Sequence, residues 1–204
     1  MTFFIWSQLA LVCLLGAMSP GPSLALIIRN SINFSRLAGI FTSLGHGMGI
    51  GIYATFTVIG LGFIIQKSES IFFIIQVCGS VFLILLGLLF VFTKKNTSES
   101  SSYQIHSNSF AQGFAIAIIN PKILIFFIAI YSQFINADAE LIEKTILVST
   151  SAIIDAIWYI FVSVLVTGYG LKEFLFNNRH VIQKIIGALL IFIALSLLYN
   201  LTNN

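Results

Sequence analysis

Three ionisable side chains, His46, Lys122 and Asp155, lie inside long apolar runs of this 204-residue chain. A charge at the centre of a membrane-spanning helix costs about 2.5–3.5 kcal/mol on insertion scales, so such residues usually face a bundle interior and bind or relay charge. Asp155 stands one helical turn before Trp158 and Tyr159, which places the three on one face. A carboxylate beside aromatic rings suits an ammonium, through Coulomb attraction and a cation–π contact worth about 1–2 kcal/mol each when desolvated. The bland alternative for Trp158 and Tyr159 is bundle packing or an interfacial position. Asp155 is also the first candidate for proton uptake. His46, in Gly45-His46-Gly47, is a second, or else a neutral hydrogen-bond partner. Lys122 needs an anion, and two are on offer: Asp155 and a substrate carboxylate, competing in turn. A permanent Lys122–Asp155 pair, or Lys122 reaching toward cytoplasmic headgroups, is the structural alternative.

What could position these groups is a pair of breaks. Ser19-Pro20-Gly21-Pro22 and Asn120-Pro121-Lys122 each interrupt an apolar run where proline is least expected. Ser19 and Asn120 are residues of the N-cap type standing directly before proline, the usual beginning of a helix. Each string therefore reads as a helix restarting at membrane depth. A half-helix that starts there aims unpaired N–H groups and a positive dipole end at one spot, and such ends bind anionic groups. All seven residues of the two strings are candidate substrate-binding or translocation residues, together with Asp155, Trp158 and Tyr159.

The surrounding elements follow from composition. The chain is 58% hydrophobic and 8% charged, with a mean hydropathy of +1.01, which excludes a soluble domain. A spanning helix needs about 20 mostly apolar residues. Six segments meet that length, near residues 3–28, 38–65, 70–93, 110–135, 145–168 and 181–199. The runs are continuous, not the short alternating segments of a transmembrane β-barrel. The fold class expected is an all-α integral membrane protein forming one domain over residues 1–204. The first run lacks a preceding Lys or Arg, so it is expected to be a retained span and not a cleaved signal peptide.

The polar stretch 94–109 reads as a cytoplasmic linker between two three-span halves, 1–93 and 110–204. With three spans each, related halves would have to be inverted, and the breaks fall in the first span of each half, helices 1 and 4 of the six. Arg29, Arg36, Lys94, Lys95, Lys172 and Arg179 fall in the loops after spans 1, 3 and 5, with Lys184 in the first turn beyond the last of these, against Lys67 and Lys144 in the other loops. Cytoplasmic loops hold the basic excess, so both termini are expected outside. The net charge of +3 is then a topological bias and calls for no nucleic-acid partner.

Gly45, Gly49, Gly47 and Gly51 form two interleaved small-xxx-small patterns, the signature of close helix crossing, and equally suit a sliding surface. Cys13 and Cys78 show no paired spacing and are read as packing residues. No metal-ligand cluster, acid–base constellation or cofactor motif is visible in the linear order, so an enzyme is not expected. A homo-oligomer is left open.

Taken together, the chain resembles the LysE/RhtB amino-acid exporters along its whole length. The likeness rests on six spans in about 200 residues, Ser19-Pro20-Gly21-Pro22 late in the first, a glycine-rich second, Asn120-Pro121-Lys122 in the fourth, and Asp155 with Trp158 in the fifth. The resemblance implies a secondary transporter of the bacterial inner membrane that exports amino acids or close derivatives, driven by the proton gradient. A cation-efflux transporter of similar architecture and a non-catalytic membrane subunit are the competing readings.

Overall fold

The computed structural model describes residues 2–92, 108–136, 138–168 and 172–203. Among them it contains eight helices and no strand: α1 (Phe3–Met18), α2 (Pro22–Asn33), α3 (Arg36–Lys67), α4 (Glu69–Phe92), α5 (Ser109–Ile119), α6 (Pro121–Phe134), α7 (Leu141–Gly168) and α8 (Lys172–Asn203). Four stretches, α3, α4, α7 and His180–Leu201 of α8, are long and apolar enough to cross a bilayer unaided. The pairs α1–α2 and α5–α6 pass the same test only together, bent by 63° and 62° at the two proline strings. Counting each bent pair as one span gives the six expected, with breaks in the first and fourth.

Side-chain oxygens mark the helix starts. Thr2 accepts the Ile5 N–H, Ser35 accepts the Ala38 N–H, Ser68 accepts the Ile71 N–H and Asn108 accepts the Phe110 N–H. Each satisfies a donor that a first helical turn leaves orphaned. The first span runs further than its apolar run, to Asn33 instead of residue 28. Asn30 and Ser31, which end the apolar pattern, are buried inside the bundle and hydrogen-bonded there. The proposed linker at 94–109 falls almost wholly outside the described residues.

Burial is inverted relative to a soluble protein. Phe56, Phe63, Phe92 and Phe192 present their rings outward, as a hydrocarbon solvent allows, while Phe72, Phe90, Phe126, Phe127 and Phe134 pack inside. Inside, α3 crosses both α5 and α7, and α4 crosses both α8 and α6. Glycine makes the α3 crossings close. A Cβ at Gly45 would overlap the Phe110 carbonyl and one at Gly49 would press on Ala117, both on α5. Gly47 meets Ala156 on α7 in the same way, while Gly51 faces Ala152 of α7 with room for a methyl group at ordinary contact distance. The two interleaved stripes thus face two different helices.

Candidate functional site

The breaks meet. Lys122, in the first turn of α6, donates from Nζ to Ser19 Oγ at the other break, 2.6 Å away, and its ammonium lies 4.7 Å from the centroid of the Phe90 ring. A cation near a helix N-terminus opposes the dipole. A hydroxyl acceptor and an aromatic face offset that cost, the latter by about 0.5–2 kcal/mol.

At the second break the helix starts as the sequence indicates: Asn120 is the N-cap, its side chain accepts the Lys122 N–H at 3.1 Å, and Pro121 takes the first position. At the first break it does not. Ser19 closes α1, its N–H donating to the Gly16 carbonyl at 3.2 Å, and α2 begins at Pro22 with Gly21 as a cap that makes no side-chain bond. The reason is partly tertiary. Of two prolines, the second takes the preferred first position, and the Ser19 hydroxyl is engaged by Lys122.

Asp155 takes a different partner from Lys122. Its Oδ2 accepts from His46 Nδ1 at 2.7 Å, and His46 Nε2 lies 2.9 Å from Ser23 Oγ. All three residues are buried, and the Tyr159 ring stands edge-on to the imidazole at 4.9 Å between centroids. Gly47, next to His46, lets α3 approach α7 closely enough for imidazole and carboxylate to touch. With Nδ1 donating to the carboxylate, a neutral ring accepts from Ser23 at Nε2, and a charged ring donates to it. The row Ser23–His46–Asp155 has the hydroxyl–imidazole–carboxylate connectivity that, in enzymes, forms an acid–base relay. Linear order hid it, because the three groups come from α2, α3 and α7.

Ser19, Gly21, Pro22, Asn120, Lys122, His46, Asp155 and Tyr159 all line one cavity. It offers about 60 Å³ to the centres of water-sized solutes. At roughly 10–15 Å³ per water, that is room for about four to six waters, the bulk of a small amino acid. The remaining wall is mostly apolar: Ile50, Leu86, Phe90, Ile123, Phe126, Phe127 and Leu190. Pro20 and Pro121 shape the backbone and do not line it. Trp158 does not line it either. It is half-buried beside Ile28, Val162 and Val166, and its Nε1 has no hydrogen-bond partner among the described residues. Ser23, Cys13, Phe90 and Ser151 line the cavity without having been singled out as site residues. Only Ser23 carried a signal, as the residue after the helix-starting Pro22.

Comparison with known proteins shows the family. The chain is 29% identical over 186 residues to the uncharacterized membrane protein YrhP of Bacillus subtilis, covering 84% of this chain and 88% of that one. It is 25% identical to the uncharacterized membrane protein YahN of Escherichia coli, covering 89% and 83%. It is 30% identical to the threonine efflux protein of Salmonella typhi over 142 residues, covering 67% of this chain and 68% of that one. No solved structure matches. The sequence profile of the LysE type translocators matches residues 14–201, from within α1 to near the end of α8. Both breaks and the whole Ser23–His46–Asp155 row lie inside that match, and the chain belongs to the LysE type translocator family, whose members are transporters.

Proposed function

We propose that this protein exports a small, electrically neutral amino acid or close derivative across a bacterial inner membrane in exchange for protons, with both termini outside. The observation that carries the reading is one cavity holding Lys122 and Ser19 from the two breaks beside the His46–Asp155 pair. Lys122, Ser19 and the starts of α2 and α6 take the carboxylate. Asp155 and the Tyr159 ring take the ammonium, without Trp158. The apolar wall takes a side chain that bears no charge, since Asp155, the one acid lining the cavity among the described residues, is already assigned to the ammonium. The relative named for threonine efflux supports a substrate of that kind.

Coupling follows from the charge of the relay. With a neutral imidazole the His46–Asp155 pair carries one negative charge and attracts an ammonium. A proton taken up at Nε2 brings the pair to zero, which weakens that attraction by on the order of 1–4 kcal/mol at contact distance. Proton arrival from outside and substrate departure are thereby linked, and the two halves rock about the fixed site.

The test is efflux from cells loaded with threonine or another neutral amino acid, comparing the wild type with an Asp155→Asn variant shown to reach the membrane in normal amount. Proton-dependent efflux should be abolished. Unchanged efflux would remove Asp155, and with it this mechanism.

A further inference from the structure

Two buried hydrogen-bond clusters lie on opposite sides of the charged cavity. In the first, Asn30 of α2 donates from Nδ2 to Thr42 Oγ1 of α3 and to Gln112 Oε1 of α5, both at 2.9 Å, and the Thr42 hydroxyl donates to the Ala38 carbonyl at 2.8 Å. In the second, the Tyr131 hydroxyl of α6 donates to the Leu147 carbonyl of α7 at 3.0 Å and lies 2.7 Å from Ser151 Oγ, which lies 3.2 Å from Cys13 Sγ of α1. Asn30 and Tyr131 are both fully buried.

Depth separates the clusters. Successive spans cross in opposite directions, so residues between the first break and the α2–α3 turn lie toward one membrane face. Residues between the second break and the α6–α7 connection lie toward the other. Asn30 and Thr42 flank the α2–α3 turn, and Tyr131 and Leu147 flank the α6–α7 connection. Arg36 Nε donates to Thr167 Oγ1 at 2.9 Å, which fixes the start of α3 and the end of α7 on one face.

The clusters also correspond element by element. One ties the second half of a broken span (α2) to the next full span (α3) and to the first half of the other broken span (α5). The other does the same with α6, α7 and α1. We propose that they are paired latches: the Asn30–Thr42–Gln112 cluster closes the cavity toward the face of the α2–α3 turn, the Tyr131–Ser151–Cys13 cluster closes it toward the opposite face, and transport opens them alternately. This rests on the exporter reading of the same cavity. Neutral hydrogen bonds suit the task. Each contributes little net stability and so can be broken within a cycle, yet each is directional, which makes closed a defined arrangement and not a sliding contact. The latches differ in one respect. Asn30 Oδ1 has no partner among the described residues, so the latch it anchors is the less satisfied of the two and opens more readily.

Ala17 lines the cavity and belongs to neither latch, so a cysteine there reports its opening. With Cys13→Ser and Cys78→Ser as background and Ala17→Cys as reporter, a membrane-impermeant methanethiosulfonate is applied to right-side-out and to inside-out vesicles, and the rate of modification is read from each side. Thr42→Val should raise the rate from the α2–α3 face by roughly two- to tenfold, the range expected for one lost hydrogen bond, and leave the other face unchanged. Tyr131→Phe should do the reverse. Both changes conserve shape, and Asn30→Ala and Ser151→Ala provide a second member for each latch. Equal effects on both faces, or none from either pair in protein that stays monodisperse in detergent, overturn the proposal. Since the reagent assay needs no substrate, side-selective effects alongside absent amino-acid efflux would fault the exporter reading instead.

Discussion

Lys122 and Asp155 are the two intramembrane charges that composition makes most conspicuous, and the structure gives each a partner other than its opposite. Lys122 turns to Ser19 and Phe90, Asp155 to His46. The separation has a chemical use: a zwitterion needs two poles held apart, and a direct Lys122–Asp155 bond would neutralise both. In the proposed mechanism His46 is the residue on which coupling turns, because it touches the acid through one nitrogen and a cavity hydroxyl through the other. A His46→Gln variant keeps a donor for Asp155 and an acceptor for Ser23 but cannot take a proton. In proteoliposomes it should retain exchange of labelled for unlabelled substrate while net efflux driven by a pH gradient falls to background. Net efflux at the wild-type rate would show that the imidazole only positions Asp155. None of these pairings was legible in the sequence. The composition of the site was, since a buried charge is costly enough to stand out, but partners drawn from different helices depend on crossings that linear spacing does not encode.

Elements were legible to the extent that local chemistry fixes them. Asn120-Pro121 pairs a preferred N-cap with the preferred first residue, and α6 begins there; Ser19-Pro20-Gly21-Pro22 offers two starts, and the choice of Pro22 over Pro20 was not decided by the string itself. The helix α2 extends past the apolar run because Asn30 and Ser31, which look like a boundary in the sequence, have buried partners on α3, α5 and α7. The glycines of α3 were readable as crossing points, though not which helix each stripe meets. Their two kinds of surroundings give a controlled test. Gly45→Ala places a methyl group against the Phe110 carbonyl, backbone that cannot step aside, and should destabilise by about 1–3 kcal/mol. Gly60→Ala meets open space in the same helix and should be neutral or stabilising by up to about 1 kcal/mol. The temperature at which detergent-purified protein loses monodispersity should therefore fall for the first and hold or rise for the second. Equal behaviour would mean that the α3–α5 crossing is not close.

For the whole molecule, the arrangement of two bent spans about one cavity sets what a cycle moves. In the proposed exchange, a zwitterionic substrate carries no net charge outward, and a proton on the relay carries one positive charge inward. Exchange of one for the other is therefore electrogenic, and a membrane potential alone should drive it. One charge crossing 100 mV supplies about 2.3 kcal/mol, which sustains a concentration ratio of roughly fiftyfold. The measurement uses purified protein in proteoliposomes at equal pH on both sides, with a potassium gradient and valinomycin setting the potential and a labelled neutral amino acid as the reporter. Accumulation should follow the sign of the potential, reverse when the gradient is reversed, and approach that ratio at 100 mV for one proton per substrate, or its square for two. Transport by this single polypeptide would also exclude dependence on a second subunit. Accumulation that ignores the potential but responds to a pH difference would mean that a compensating charge crosses with each substrate, and the relay's single negative charge could not then be the element that distinguishes the loaded site from the protonated one.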